Sequence, residues 1–287
     1  MNCKKYKLTN NENTLQYFSY QKCNDTIWNN QIKLLPGQTK TVKIIEGTFS
    51  STGKISIEKE GDLPIIPEPN NELLGRLHSV DVRDLNHLIK DKIPQTVPAI
   101  TSKYWQDNIW SGDQGSTPMC VGYAWAHFIE DGPITHAGAH PVVSPVTIYR
   151  EAQKIDEWPG ENYDGTSVRA GAKYLKNAGK IASYLWAFDL ATLTNTVLNV
   201  GPVVVGTNWY YNMFFPDRNG LIKATGNLAG GHAYVINGVD TVKQQFRIKN
   251  SWGLGWGQQG HAYISFSDMT RLIKEQGEIC LATEKIF

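Results

Sequence analysis

The spacing of apolar and polar positions changes character twice along this chain. Over residues 1 to about 60 it runs in short stretches: Leu15–Tyr20, Thr26–Leu34, Thr39–Ile45 and Lys54–Glu58. These are rich in Thr, Ile, Val, Tyr and Phe, with Val42 and Ile44 alternating against Thr41 and Lys43. Turn-forming residues separate them at Asn10–Asn13, Asn24-Asp25, Pro36-Gly37 and Gly53. The pattern predicts a small antiparallel β domain, a sandwich or barrel. Residues 61–104 break it. Pro64, Pro67 and Pro69 favour extended backbone, so this stretch reads as a proline-rich linker and wrapping segment, with one short helical run at Asp84–Lys90.

From residue 105 onward the period lengthens. Apolar residues recur at helical spacing over Cys120–Ile129, Pro145–Lys154 and Ser167–Asn177, with Thr166 and Ser167 as natural N-caps and Gly179 as a stop. After Leu193–Asn199 the pattern returns to strands at Pro202–Gly206, Ala233–Asn237, Gln245–Asn250 and His261–Phe266. A helix-rich half followed by a sheet-rich half predicts an α+β domain over residues 105–287, with a cleft between the halves.

Composition narrows the function classes. A net charge of +1 and the absence of a long Lys/Arg run argue against nucleic acid or an anionic membrane as the main partner. No apolar stretch approaches the length of a membrane span, and Met1–Lys7 leads into polar residues rather than a signal-peptide core. The four cysteines, Cys3, Cys23, Cys120 and Cys280, are too few for a disulfide framework and point to a reducing compartment. Whether Cys3 pairs with Cys23 is left open. A cytoplasmic protein, or a component of a virion or other large assembly, is the expected setting.

The chemistry lies in four residues, in the order Gln114, Cys120, His232, Asn250. Taken singly, each has an ordinary explanation: a structural cysteine, a satisfied core histidine, a polar residue at a strand end. Taken together they supply what acyl transfer on a thiol needs. Cys120 falls where a loop meets a helix N-terminus, whose partial positive charge favours thiolate. His232 heads the apolar run Ala233-Tyr234-Val235-Ile236 behind Gly230-Gly231, which leave room for a substrate backbone; it can take the thiol proton and return it to the leaving amine. Asn250 can accept from one imidazole nitrogen and fix the tautomer, under the cover of Trp252. Gln114 and the backbone N–H of Cys120 can donate to an oxyanion.

These motifs carry a resemblance. Asp113-Gln114-Gly115-Ser116 with Cys120, Gly231-His232-Ala233, and Asn250-Ser251-Trp252-Gly253-Leu254-Gly255-Trp256-Gly257 are similar to those of the papain family of cysteine peptidases, over roughly residues 105–287. Asn250 follows Cys120 by about 130 positions, as in that family. The resemblance implies a two-lobed α+β fold, peptide-bond hydrolysis by a Cys-His-Asn thiolate mechanism through an acyl-enzyme, a peptide or protein substrate, and no cofactor or metal. It also implies that Gly165 pairs in β fashion with the substrate backbone and that Trp256 borders the leaving-group side. Thr283 or Glu284 then falls near the floor of the main specificity pocket, where a carboxylate would favour basic side chains.

Departures from the family pattern open alternatives. Cys120-Val121-Gly122-Tyr123 stands where Cys-Trp-Ala-Phe is usual, Thr117 replaces a cysteine, and the usual disulfides of that half lack partners, a loss of about 2–5 kcal/mol per bridge. Residues 1–60 look like β structure rather than a helical propeptide, and are expected to bind a protein partner or assembly. An amidase or transpeptidase on the same site, or a silent papain-fold binding protein, are the competing readings. His136 and His140 stand four apart, but intervening Gly138, following Pro141 and the lack of a third ligand favour an ordinary loop.

Overall fold

A computed structural model of the chain describes residues 3–22, 30–52, 55–62, 74–94, 100–106, 110–131, 133–134 and 140–284. The chain divides into two compact units, Met1–Glu68 and Pro69–Phe287.

In the first unit, strands β1 (Cys3–Asn10), β2 (Gln16–Lys22), β3 (Asn30–Leu34), β4 (Thr39–Ser51) and β5 (Ile55–Asp62) form one five-stranded sheet in the order β3-β2-β4-β1-β5. All its neighbours are antiparallel. The long β4 pairs through its first half with β1 and through its second half mainly with β2. Tyr6, Leu8, Phe18, Leu34 and Val42 make the core, with Ile55 and Ile57 packed on it. Strand β1 was not predicted: its Lys-Lys-Tyr-Lys run reads as polar, yet Tyr6 and Leu8 point to the core face at period two. The start of the predicted strand Thr26–Leu34 and Cys23 lie outside the described residues.

The second unit begins with a short 3-10 turn (Val82–Asn86), α1 (Ile89–Lys92) and β6 (Ser102–Tyr104), where the sequence predicted one short helical run. Three helices follow: α2 (Cys120–Glu130), α3 (Pro145–Gln153) and α4 (Val168–Asn177). Then come β7 (Ile181–Ala187), α5 (Leu190–Asn199), β8 (Val203–Tyr210), β9 (Leu221–Ile222), β10 (Leu228–Asp240), β11 (Gln245–Lys249), β12 (His261–Ser265), α6 (Phe266–Lys274) and β13 (Glu278–Glu284). The sheet order is β7-β13-β8-β10-β11-β12-β9, with β6 added alongside β10.

The period-two alternation of the central strands divides two cores. Val204, Ala233, Val235, Cys280 and Ala282 face a cluster built on α2, α3 and α4. Val203, Val205, Tyr234, Ile236, Ile279 and Leu281 face a second cluster with α5 and α6. Cys120 and Ala233 therefore belong to one core, and the neighbouring His232 and Tyr234 to the other side of β10.

The helices α3, α4, α5 and α6 are capped by Ser144, Ser167, Asp189 and Ser265, whose side chains accept backbone N–H groups of Thr147, Ala170, Thr192 and Asp268. Helix α2 differs. Its N-cap is Met119 and makes no side-chain cap, so the first N–H groups of that helix stay available beside Cys120.

Candidate active site

Cys120 is the first residue of α2 and is fully buried. The backbone N–H groups of Ala233, Gly75 and Val121 favour its thiolate. Ala233, one residue beyond His232 on β10, shares a buried cluster with Cys120. Trp209, Trp252 and Tyr234 surround the imidazole: Trp252 stacks on it at 4.9 Å and 25°, and Trp209 meets it edge-on at 4.7 Å. His232 Nε2 and Asn250 Oδ1 are 2.8 Å apart, and the same oxygen accepts the Ser251 N–H at 2.8 Å. The Asn250 oxygen can only accept, so Nε2 carries the proton and Nδ1 is the basic nitrogen. Among the described residues Nδ1 has no hydrogen-bond partner.

Gln114 is built into the same cluster. Its N–H donates to Ser251 O at 2.8 Å, its Oε1 accepts from Ser251 Oγ at 2.5 Å, and its Nε2 donates to Thr117 O at 2.5 Å, three residues before the nucleophile's helix. Trp256 packs edge-on against Trp252 at 5.3 Å and donates its indole N–H to Phe214 O. Gln114, His232 and Asn250 thus meet through Ser251, with Trp252 and Trp256 as the aromatic wall above the His–Asn bond, while Cys120 packs at the head of α2 in the core that holds Ala233, the next residue of β10.

The cleft is filled by the chain itself. Segment Leu74–His78 passes over Cys120 in extended form. Thr166 N–H donates to Gly75 O (2.9 Å), Leu77 N–H to Thr166 O (2.9 Å), and Arg76 N–H to Gly231 O (3.0 Å). Gly75 is the point of closest approach: a Cβ there would stand 1.9 Å from Pro118 O. The polarity matters chemically. The Gly75 N–H favours the Cys120 thiolate, while the Gly75 carbonyl accepts from the Thr166 N–H.

Two expectations about the cleft are corrected. The β pairing belongs to Thr166, not Gly165; the Gly165 N–H instead donates to Tyr149 Oη at 3.0 Å. The carboxylate that meets the cleft is Glu278, not Glu284. Arg76 Nε lies 2.9 Å from Glu278 Oε1, with only 2% and 4% of the two side chains exposed. Glu284 pairs with Ile181 at the far end of β13, roughly 20 Å along the strand, and Thr283 bonds Ser183 on an exposed edge. Period two places Glu278 and Glu284 on one face of β13, so the sequence pattern could not choose between them. The segment Leu74–His78 and Trp209 carried no signal beyond the expectation that residues 61–104 wrap the domain.

Burial sets the charge state. It pushes the Cys120 thiol up to about 11, against the N–H groups of Ala233, Gly75 and Val121 and the Arg76 charge. It drops His232 to about 4 despite the Asn250 bond. Burial would raise Glu278, but Arg76 and His78 outweigh it and hold the carboxyl below its ordinary value. Among the described residues no group of three or more His, Cys, Asp or Glu side chains is placed to hold a metal ion. His140 pairs with Glu130, and His136 lies outside the described residues. No helix among the described residues is long and apolar enough to cross a membrane.

A family model described as "Papain family cysteine protease" matches residues 112–279. The chain is 26% identical over 133 residues to a viral cathepsin of Choristoneura fumiferana nuclear polyhedrosis virus, covering 46% of this chain and 39% of that protein. It is 36% identical over 76 residues to cathepsin S of Mus musculus, covering 25% and 22%. It therefore spans less than half the length of these curated relatives. Among solved structures, xylellain, a cysteine protease from Xylella fastidiosa, superposes with a TM-score of 0.61 at 20% identity, over 75% of this chain and 97% of that one. ProCathepsin B S9 from Trypanosoma congolense superposes with a TM-score of 0.54 at 12% identity, over 75% and 87%. These two likenesses concern the fold.

Proposed function

The chain belongs to the papain family of cysteine proteases, and on that premise we propose that it is a cysteine peptidase held in a latent state by its own residues 74–78. The observation that carries the reading is the 2.8 Å bond between His232 Nε2 and Asn250 Oδ1, sheltered under Trp252, in a chain that also places a cysteine at an uncapped helix N-terminus.

With the cleft open to a peptide, His232 Nδ1 takes the Cys120 proton and the sulfur attacks the substrate carbonyl carbon. The Cys120 N–H and Gln114 Nε2 donate to the oxygen as it gains charge. The imidazolium, oriented by Asn250, returns the proton to the leaving amine as the C–N bond breaks. Water, activated by the same nitrogen, then attacks the thioester and frees the acid and the thiol. With Leu74–His78 in place, thiol and imidazole are both neutral at pH 7, the resting condition of a covered site.

The test is active-site labelling of the full chain with an epoxysuccinyl thiol probe, alongside Cys120→Ala and His232→Ala. Labelling confined to Cys120 and lost with His232→Ala is the expected result. Cleavage of a denatured protein, with and without added amine acceptor, then separates hydrolysis from acyl transfer. A folded chain that never labels, including after Leu74–His78 is displaced, would refute the reading in favour of a binding role.

A further inference from the structure

No step of the proposed hydrolysis uses the Arg76–Glu278 pair, yet both its charges are withdrawn from water a few residues from the nucleophile. Burying an ion pair is costly unless every contact is made. Here they are made: the guanidinium also donates to Gln276 O at 2.7 Å, and meets His78 Nδ1 at 2.8 Å. Gly206 supplies the space. A Cβ there would come within 2.8 Å of Arg76 Nε, 2.9 Å of Glu278 Oε1 and 3.0 Å of Val168 Cγ2.

The way Arg76 enters this pocket is fixed by main-chain bonds. Its N–H goes to Gly231, and its two neighbours bond Thr166 on the opposite side. Such a ladder reads no sequence, because every peptide offers the same N–H and C=O groups. The side-chain pocket between the two rails does. Resting on the peptidase reading, we infer that Glu278 is the specificity carboxylate of the cleft: it selects peptides with a basic residue, arginine before lysine, at the position between Thr166 and Gly231. Arg76 is its resident occupant, so a basic substrate and the covering segment compete for one carboxylate.

Arginine is favoured because its planar fork spans Glu278 and the Gln276 carbonyl together, which a lysine ammonium does not. A neutral side chain leaves Glu278 buried without a cation and is expected to be disfavoured by about 100-fold.

The experiment has one arm that needs no catalysis. The full chain carrying Arg76→Ala is titrated calorimetrically with N-acetyl-arginine methylamide. One-site uptake is expected, together with none for the norleucine analogue and none in Arg76→Ala/Glu278→Gln. Arg76→Gln serves in its place should the alanine variant be recovered unfolded. A folded Arg76 variant that takes up no arginine amide overturns the inference, whatever Cys120 does.

The second arm uses the wild-type chain and epoxide-tipped peptides with arginine, lysine or norleucine at the position in question. Faster labelling of Cys120 by the arginine peptide, abolished by Glu278→Gln, supports the pocket; equal rates overturn it. Arginine-amide uptake without any labelling of Cys120, even once Leu74–His78 is displaced, would leave the pocket standing and remove the peptidase reading instead.

Discussion

A thiol held near 11 and an imidazole held near 4 leave Cys120 and His232 both uncharged at neutral pH, and the cause in each case is burial. The thiolate fraction of the covered site then climbs about tenfold per pH unit from 7 toward 10. The rate of Cys120 alkylation by iodoacetamide, read by peptide mapping, is expected to follow that slope. Gly75→Ala should flatten it. The added methyl lands 1.9 Å from Pro118 O, the segment lifts, and labelling at pH 7 rises about tenfold for each unit of pKa relieved. Glu278 is shifted in the opposite direction. Its folded-state carboxyl lies below its ordinary 4.5, so its contribution is complete above that value and is lost as pH falls through the lower one. The difference in melting temperature between wild type and Glu278→Gln is therefore expected to hold steady above pH 5 and to shrink below about 4.5. At this scale the catalytic set was legible because its members carry short, unusual contexts. Glu278 was not, since a strand's alternation marks a face without marking a position along it.

Elements were legible in proportion to how much of their stabilisation is local. Helices α2, α3 and α4 were predicted to within about one residue at each end, because amphipathic spacing and the Ser167 cap act within the segment itself. Strand β13 and helix α6 escaped notice. Cys280 and Ala282 face one core, Ile279 and Leu281 the other, so β13 lacks the polar face that marks a half-exposed strand. Helix α6 buries only Met269, Leu272 and Ile273, a narrow stripe. Its start is set by a cap rather than by a run of apolar residues, and that gives a test. Ser265→Ala removes the acceptor for the Asp268 N–H and should cost about 1 kcal/mol, seen as a lower urea midpoint with an unchanged slope in the second unit's transition.

On the scale of the molecule, the two units differ in how much they bury. The first has five core side chains among its described residues; the second has two large clusters sharing one sheet. A domain of that smaller size stands close to the limit of independent stability. Scanning calorimetry should therefore resolve two transitions, with the first unit melting earlier, and a single coincident transition would contradict this. The division into a β unit and an α+β unit was readable from the change of period. That residues 74–78 end up in the cleft was not, because their partners Thr166, Gly231 and Glu278 lie about 90 to 200 positions away in sequence.

Those same residues belong to the second unit, not the first, and from this follows a point about local concentration. A strand tethered to its own groove is present at an effective concentration of order millimolar, however dilute the protein. Its Gly75 carbonyl is held by the Thr166 N–H. A free peptide of equal affinity would have to approach millimolar levels to take half of the sites. Cutting away residues 1–68 leaves that ratio untouched. Only severing or prising loose the stretch around Gly75 turns the occupant into an ordinary solute that dilution can remove.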